Sequence, residues 1–154
     1  MKKALFIIGI LAILISMPAM TAIQLSEKST KFTVPETIKP QPDSEYDGTF
    51  IGGVGFVYRQ DGEWQFDTHA YIVGVYKGGN YVRVFSWIYN LDEERIGSMW
   101  FISGNYILVG QISDMNESKL PIVGFLFFNE QYFIGRIMSL FGPAPHIWGE
   151  YTPN

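Results

Sequence analysis

Glycine follows isoleucine, directly or one residue on, again and again inside segments that otherwise read as β-strands. The sites are Ile51-Gly52, Ile72-Val73-Gly74, Ile96-Gly97, Ile122-Val123-Gly124, Ile134-Gly135 and Ile147-Trp148-Gly149, with a looser copy at Ile107-Leu108-Val109-Gly110. A glycine within a strand gives up side-chain packing and costs conformational entropy, so its recurrence marks bends, bulges or close backbone approach. The chain is thereby restricted to a strongly curved sheet.

From Gly48 onward the sequence breaks into eight short apolar runs, at about 49–58, 64–76, 81–90, 95–103, 106–112, 120–128, 132–139 and 146–151. Turn chemistry separates them: Asp61-Gly62, Gly78-Gly79-Asn80, Asp92-Glu93-Glu94, Ser103-Gly104-Asn105, the loop 113–119, Asn129-Glu130-Gln131 and Gly142-Pro143-Ala144-Pro145. Connections this short join antiparallel neighbours, since parallel strands need crossovers of a dozen or more residues. The expectation is an all-β, antiparallel, eight-stranded meander over residues 48–154. Closing it into an up-and-down β-barrel removes exposed edges, while a two-sheet sandwich satisfies the same pattern. Uneven gaps between the glycines argue against a solenoid.

In the second run Trp64, Phe66, Thr68, Ala70, Ile72 and Gly74 share one parity, and Gln65, Asp67, His69 and Tyr71 share the other. Alternation predicts the first set as core. The third run is substantial on both faces, and the sixth, from Ile122 to Phe128, is apolar throughout. A strand apolar on both sides needs a second cover beyond the core.

Before the strands, Lys2 and Lys3 precede an apolar run from Ala4 to Ile15, and Ala19, Thr21 and Ala22 follow. This is the plan of a secretory signal peptide over residues 1–22. Residues 4–23 approach the length of a signal anchor, although Ser16, Pro18 and Thr21 weaken that alternative. Either way the remainder is expected outside the cytoplasm, secreted or membrane-tethered. Residues 23–47 carry Pro35, Pro40 and Pro42 among charged and hydroxyl residues, which reads as a flexible linker. Loss of the two signal lysines takes the formal charge from -4 to -6. A net acidic domain argues against nucleic acid and against charge-driven binding to anionic lipid, leaving the amino-terminal segment as the expected membrane contact.

The chain has no cysteine, which removes disulfides, thiolate metal sites and cysteine nucleophiles together. Asp67 and His69 share a parity, as a carboxylate orienting an imidazole would, but same-face polar residues are also what solvent selects. His146 follows Pro145 at a strand start and reads as structural. The acidic groups at Asp43, Glu45 and Asp47 and at Asp92, Glu93 and Glu94 lack the spacing of a calcium loop. Asn116-Glu117-Ser118 fits a glycosylation acceptor in an exposed loop. No nucleophile elbow or phosphate-binding glycine loop is present, so neither catalytic residues nor a metal or cofactor are expected.

Aromatic residues make up 16% of the chain. Such rings fill cores and also line ligand pockets and interfaces. Trp64, Tyr71, Trp87, Tyr89, Trp100 and Trp148 are the candidate ligand-binding residues. The expected function is an exported binding or scaffold module that takes a small apolar ligand or associates with itself. An outer-membrane-type barrel is the alternative, disfavoured by short runs, and an exported enzyme using Asp67 and His69 is a third. The rhythm of strands, glycines and aromatics resembles avidin-like and lipocalin-like ligand-binding barrels in architecture and not in motif. That likeness transfers no residue role.

Overall fold

In the computed structural model, residues 35–40, 43, 45–128, 131–138 and 144–154 are described. The export segment 1–22 and linker residues 23–34 lie outside them. Eight strands follow one another: β1 (Gly48–Gln60), β2 (Glu63–Lys77), β3 (Val82–Tyr89), β4 (Arg95–Gly104), β5 (Ile107–Asp114), β6 (Lys119–Phe128), β7 (Tyr132–Met138) and β8 (His146–Pro153). Each pairs antiparallel with the next, and β8 pairs with β1, closing the barrel. The sandwich is thus set aside: closure leaves no strand edge unpaired.

Local chemistry explains the tight turns. Asp61 and Gly62 both have positive φ, 52° and 87°, giving the two-residue hairpin whose twist matches that of the flanking strands. Asn105 and Tyr106, at 48° and 69°, do the same between Gly104 and Ile107. A left-handed tyrosine is unfavourable in isolation. Here its ring stacks on Phe127 with centroids 5.3 Å apart, which offsets part of that cost.

The barrel interior is hydrocarbon. Ile72, Met99, Leu108, Ile122, Leu126 and Ile147 are fully buried there, packed with Phe50, Phe101, Phe133 and Ile137. The seven strand glycines read from the sequence, Gly52, Gly74, Gly97, Gly110, Gly124, Gly135 and Gly149, are buried on this same inward parity. Large residues stand opposite them: Phe50 across from Gly74, Phe101 from Gly110, Leu126 from Gly135 and Phe133 from Gly149. A Cβ at Gly74 would lie 2.0 Å from the Phe85 carbonyl oxygen, and one at Gly110 would lie 2.1 Å from that of Trp100. Close backbone approach is therefore what these glycines permit, and an eight-stranded interior is filled by its large side chains or leaves room for one small ligand. Ser86 and Ser103 are exceptions in chemistry, both buried, with the Ser86 hydroxyl donating to the Met99 carbonyl at 3.1 Å.

Two features depart from simple alternation. Val54 pairs with Ala70 and Gly55 with Thr68, so His69 has no partner and the ladder shifts. This β-bulge reverses the faces of β2: Ala70, Ile72 and Gly74 point inward as expected, but Phe66 turns outward onto Trp148, and Trp64 is 40% exposed. The expectation of one continuous core face from Trp64 to Gly74 is corrected accordingly, because one extra residue swaps every side chain beyond it. Within the stretch read as a spacer, Glu36–Ile38 forms a 3-10 turn. Ile38 is buried against Val73, Ile51, Tyr71 and Tyr89 on the outer wall, and the Thr37 hydroxyl donates to Glu93 in the β3–β4 turn. This covers one outer face of the barrel.

Candidate functional site: an apolar cavity at one end of the barrel

The turns at β2–β3 and β4–β5 and the carboxy-terminal end of β8 lie at one end of the barrel, and there the interior is not filled. Val82 and Val84 place small side chains inward from β3, while Phe50, Phe101, Leu126 and Phe133 hold the walls apart. The space left is about 270 Å³. A hydrocarbon-lined cavity of ~150 Å³ already binds benzene, so this one has room for a larger apolar body.

Tyr76, Phe128 and Tyr151 complete the lining near the strand ends. Tyr76 and Tyr151 meet edge to face at 5.7 Å, and Phe128 meets Tyr151 likewise at 6.3 Å. Gly48 lets the Tyr76 ring lie flat at the entry to β1, since a Cβ there would fall 2.7 Å from its hydroxyl. Burial pushes the Tyr76 phenol above its ordinary pKa, with the neighbouring Tyr151 and Asp47 adding to the effect. It therefore stays protonated well into alkaline solution and can donate a hydrogen bond. The two tyrosine hydroxyls are the only polar side-chain groups among the nine lining residues. Such a lining selects shape and apolarity and offers polar contact from the tyrosines alone.

None of the six aromatic residues chosen from the sequence lines this cavity. Tyr71 and Tyr89 pair across β2 and β3 and pack beside Ile38 on the outer wall. Trp148 covers the outside next to Phe66. Trp87 lies under the Arg95 guanidinium at 3.5 Å and meets Phe85 edge to face. Trp64 and Trp100 stand partly exposed at 40% and 44%. The lining could have been found from parity: Val82 and Val84 alternate with Arg83 and Phe85, and the small members of that pair of faces point inward.

Asp67 and His69 do meet, Nε2 to Oδ2 at 3.1 Å, with both side chains more than half exposed. They are far from enclosed and face water, with Phe56 edge-on to the imidazole. His146 opens β8, and its Nδ1 accepts a hydrogen bond from the Val57 amide at 3.3 Å. Burial, helped by Arg136, holds its pKa below the usual imidazole value. Asp47 accepts from the Gly78 amide at 2.7 Å, and Asp114 from the amides of Asn116 and Ser118 at 2.9 and 2.8 Å, which fixes the loop carrying the glycosylation motif. Among the described residues, no three His, Asp or Glu side chains converge as a metal site would require. No known protein family matches the sequence, and neither a curated protein nor a solved structure is significantly similar to it.

Proposed function

We propose that this protein is a binding module that takes a small apolar ligand into the open end of its barrel and does no chemistry on it. The observation that carries this reading is the hydrocarbon-lined space of about 270 Å³ inside a barrel whose remaining interior is packed. A lining of aliphatic and phenyl groups favours an apolar body, with Tyr76 and Tyr151 available to a carbonyl or hydroxyl on the ligand. The lysine-led apolar start of the chain supports binding outside the cytoplasm.

The test is a titration of the full chain with 1-aminoanthracene, followed by displacement with medium-chain alcohols. Saturable fluorescence enhancement is expected, lost in Val82→Phe, which fills the cavity with a ring while retaining the melting temperature. Absence of saturable binding, or equal binding in Val82→Phe, would overturn the proposal. The membrane-spanning alternative receives less support, since spanning barrels are polar inside and apolar outside. Here the core is apolar, and the outward positions include Lys77, Arg83, Gln111, Arg136 and Glu150.

Self-association is a second reading with its own observation. Ile102, Val109, Val123 and Met138 stand side by side across β4 to β7, each 40–54% exposed. Analytical ultracentrifugation of the wild type and Val109→Glu tests it, a dimer dispersed by the variant being the expected result.

A further inference from the structure

We propose a second, outward-facing site: a groove on the wall of β2–β4 that binds an anionic amphiphile, with its charged group on Lys77 and Arg83 and its apolar part on Phe85, Trp100 and Ile102. The groove has a volume of about 430 Å³ and is closed on one side by Glu45 and Tyr46. It opens on the outer wall, where the outward side chains Lys77, Arg83, Phe85, Trp100 and Ile102 line it, and it shares only Val84 and Phe101 with the interior cavity.

Lys77 and Arg83 are directly opposite each other in the last pair of the β2–β3 ladder. Like charges in that position repel and destabilise a sheet. Neither forms an ion pair: the described residues contain two, Lys39 with Glu36 and His69 with Asp67, and Glu45 lines the same groove without pairing to either cation. Lys77 donates only to the backbone carbonyl of Glu45, at 3.1 Å. The nearby Asp47 carboxylate is turned instead to the Gly78 amide. An acidic chain thus keeps two cations together outside any ion pair, where an anion would reduce the repulsion and gain charge-assisted hydrogen bonds from an ammonium and a guanidinium.

The apolar half adjoins directly. Ile102 is the partner of Arg83 across β3–β4, and Trp100 is the partner of Phe85. Phe85, Trp100 and Ile102 are 37%, 44% and 40% exposed. A small inorganic anion would leave these apolar side chains in water, and an alkane would leave the cations unpaired. An amphiphile with a carboxylate or phosphate head satisfies both, whether free in solution or presented by a bilayer.

The test uses the full chain, calorimetric titration with decyl phosphate below its aggregation limit, and decanol as the uncharged control. Decyl phosphate is expected to bind at least about tenfold more tightly than decanol at this site. Lys77→Gln/Arg83→Gln should abolish that difference while melting at the same or a higher temperature, because the repulsion is gone. Val82→Phe should leave it intact, which separates this groove from the interior cavity. Flotation with phosphatidylglycerol and phosphatidylcholine vesicles then names the source. Binding to the anionic vesicles that the double variant weakens identifies a bilayer headgroup, and decyl phosphate binding without it identifies a free amphiphile. Undiminished decyl phosphate binding in the double variant, or its loss in Val82→Phe, would overturn the proposal.

Discussion

Replacing Gly110 by alanine adds one methyl group, and the structure makes its cost calculable. The new Cβ would lie 2.1 Å from the Trp100 carbonyl oxygen and 2.5 Å from the Phe101 Cβ. Carbon and carbonyl oxygen normally rest about 3.3 Å or more apart, so β4 and β5 must separate locally by about 1 Å. That strains two ladder hydrogen bonds, each worth about 1 kcal/mol, and adds an overpacking term of about 1–3 kcal/mol. Loss of glycine's unfolded-state freedom returns roughly 0.5–1 kcal/mol. The net expectation is a loss of about 2–4 kcal/mol, or a melting temperature lower by about 10–25 °C for a domain of this size. Circular dichroism melts and urea titrations of wild type and Gly110→Ala measure it, with Gly78→Ala as control. A Cβ at Gly78 meets only the Asp47 carboxylate, at 3.3 Å. If Gly110→Ala were as stable as wild type or more so, the glycines would be merely tolerated and the reasoning from close approach would fail.

Three further outcomes follow from single observations. Ser86→Ala removes the buried hydrogen bond to the Met99 carbonyl and should cost about 0.5–1.5 kcal/mol in urea unfolding; an unchanged midpoint would mean that the bond contributes nothing. Acidification should destabilise the fold through His146, whose folded pKa lies below its ordinary value. The unfolded chain takes up the proton near pH ~6.5 while the folded chain resists it. Stability is therefore full above that pH and falls as pH drops below it, and His146→Gln should flatten this part of the melting-temperature profile. Ile38→Ala empties the contact with Val73 on the outer wall and should cost about 1–2 kcal/mol, with faster hydrogen exchange at residues 36–40 as the local readout.

The architecture was legible because glycine recurrence and two-residue turns are local signals. Strand bounds moved by only a few residues between expectation and structure, and the glycines proved to face the core. Closure was less legible, since the pairing of β1 with β8 joins residues a hundred positions apart and no local pattern encodes it. The faces of β2 were misread because a bulge at His69 leaves no mark in a sequence of alternating large residues. The cavity was missed for a related reason. Tryptophan and tyrosine stand out in a sequence as large amphipathic rings, yet none of the four tryptophans lines the interior cavity. What lines the open space is phenylalanine and valine on the inward parity, together with two tyrosines, Tyr76 and Tyr151, at strand ends. The groove on the outer wall was obscured by net charge, which says nothing about two cations set opposite each other in one ladder.

Ligand binding by this barrel depends on the apolar space at its β2–β3 end. A crystal structure of the protein under xenon pressure tests this most directly, because xenon occupies hydrocarbon cavities without needing a specific ligand. Xenon density bounded by Val84, Phe101, Leu126 and Phe133 is the expected result. Side chains collapsed into that volume, with no xenon among them, would contradict it.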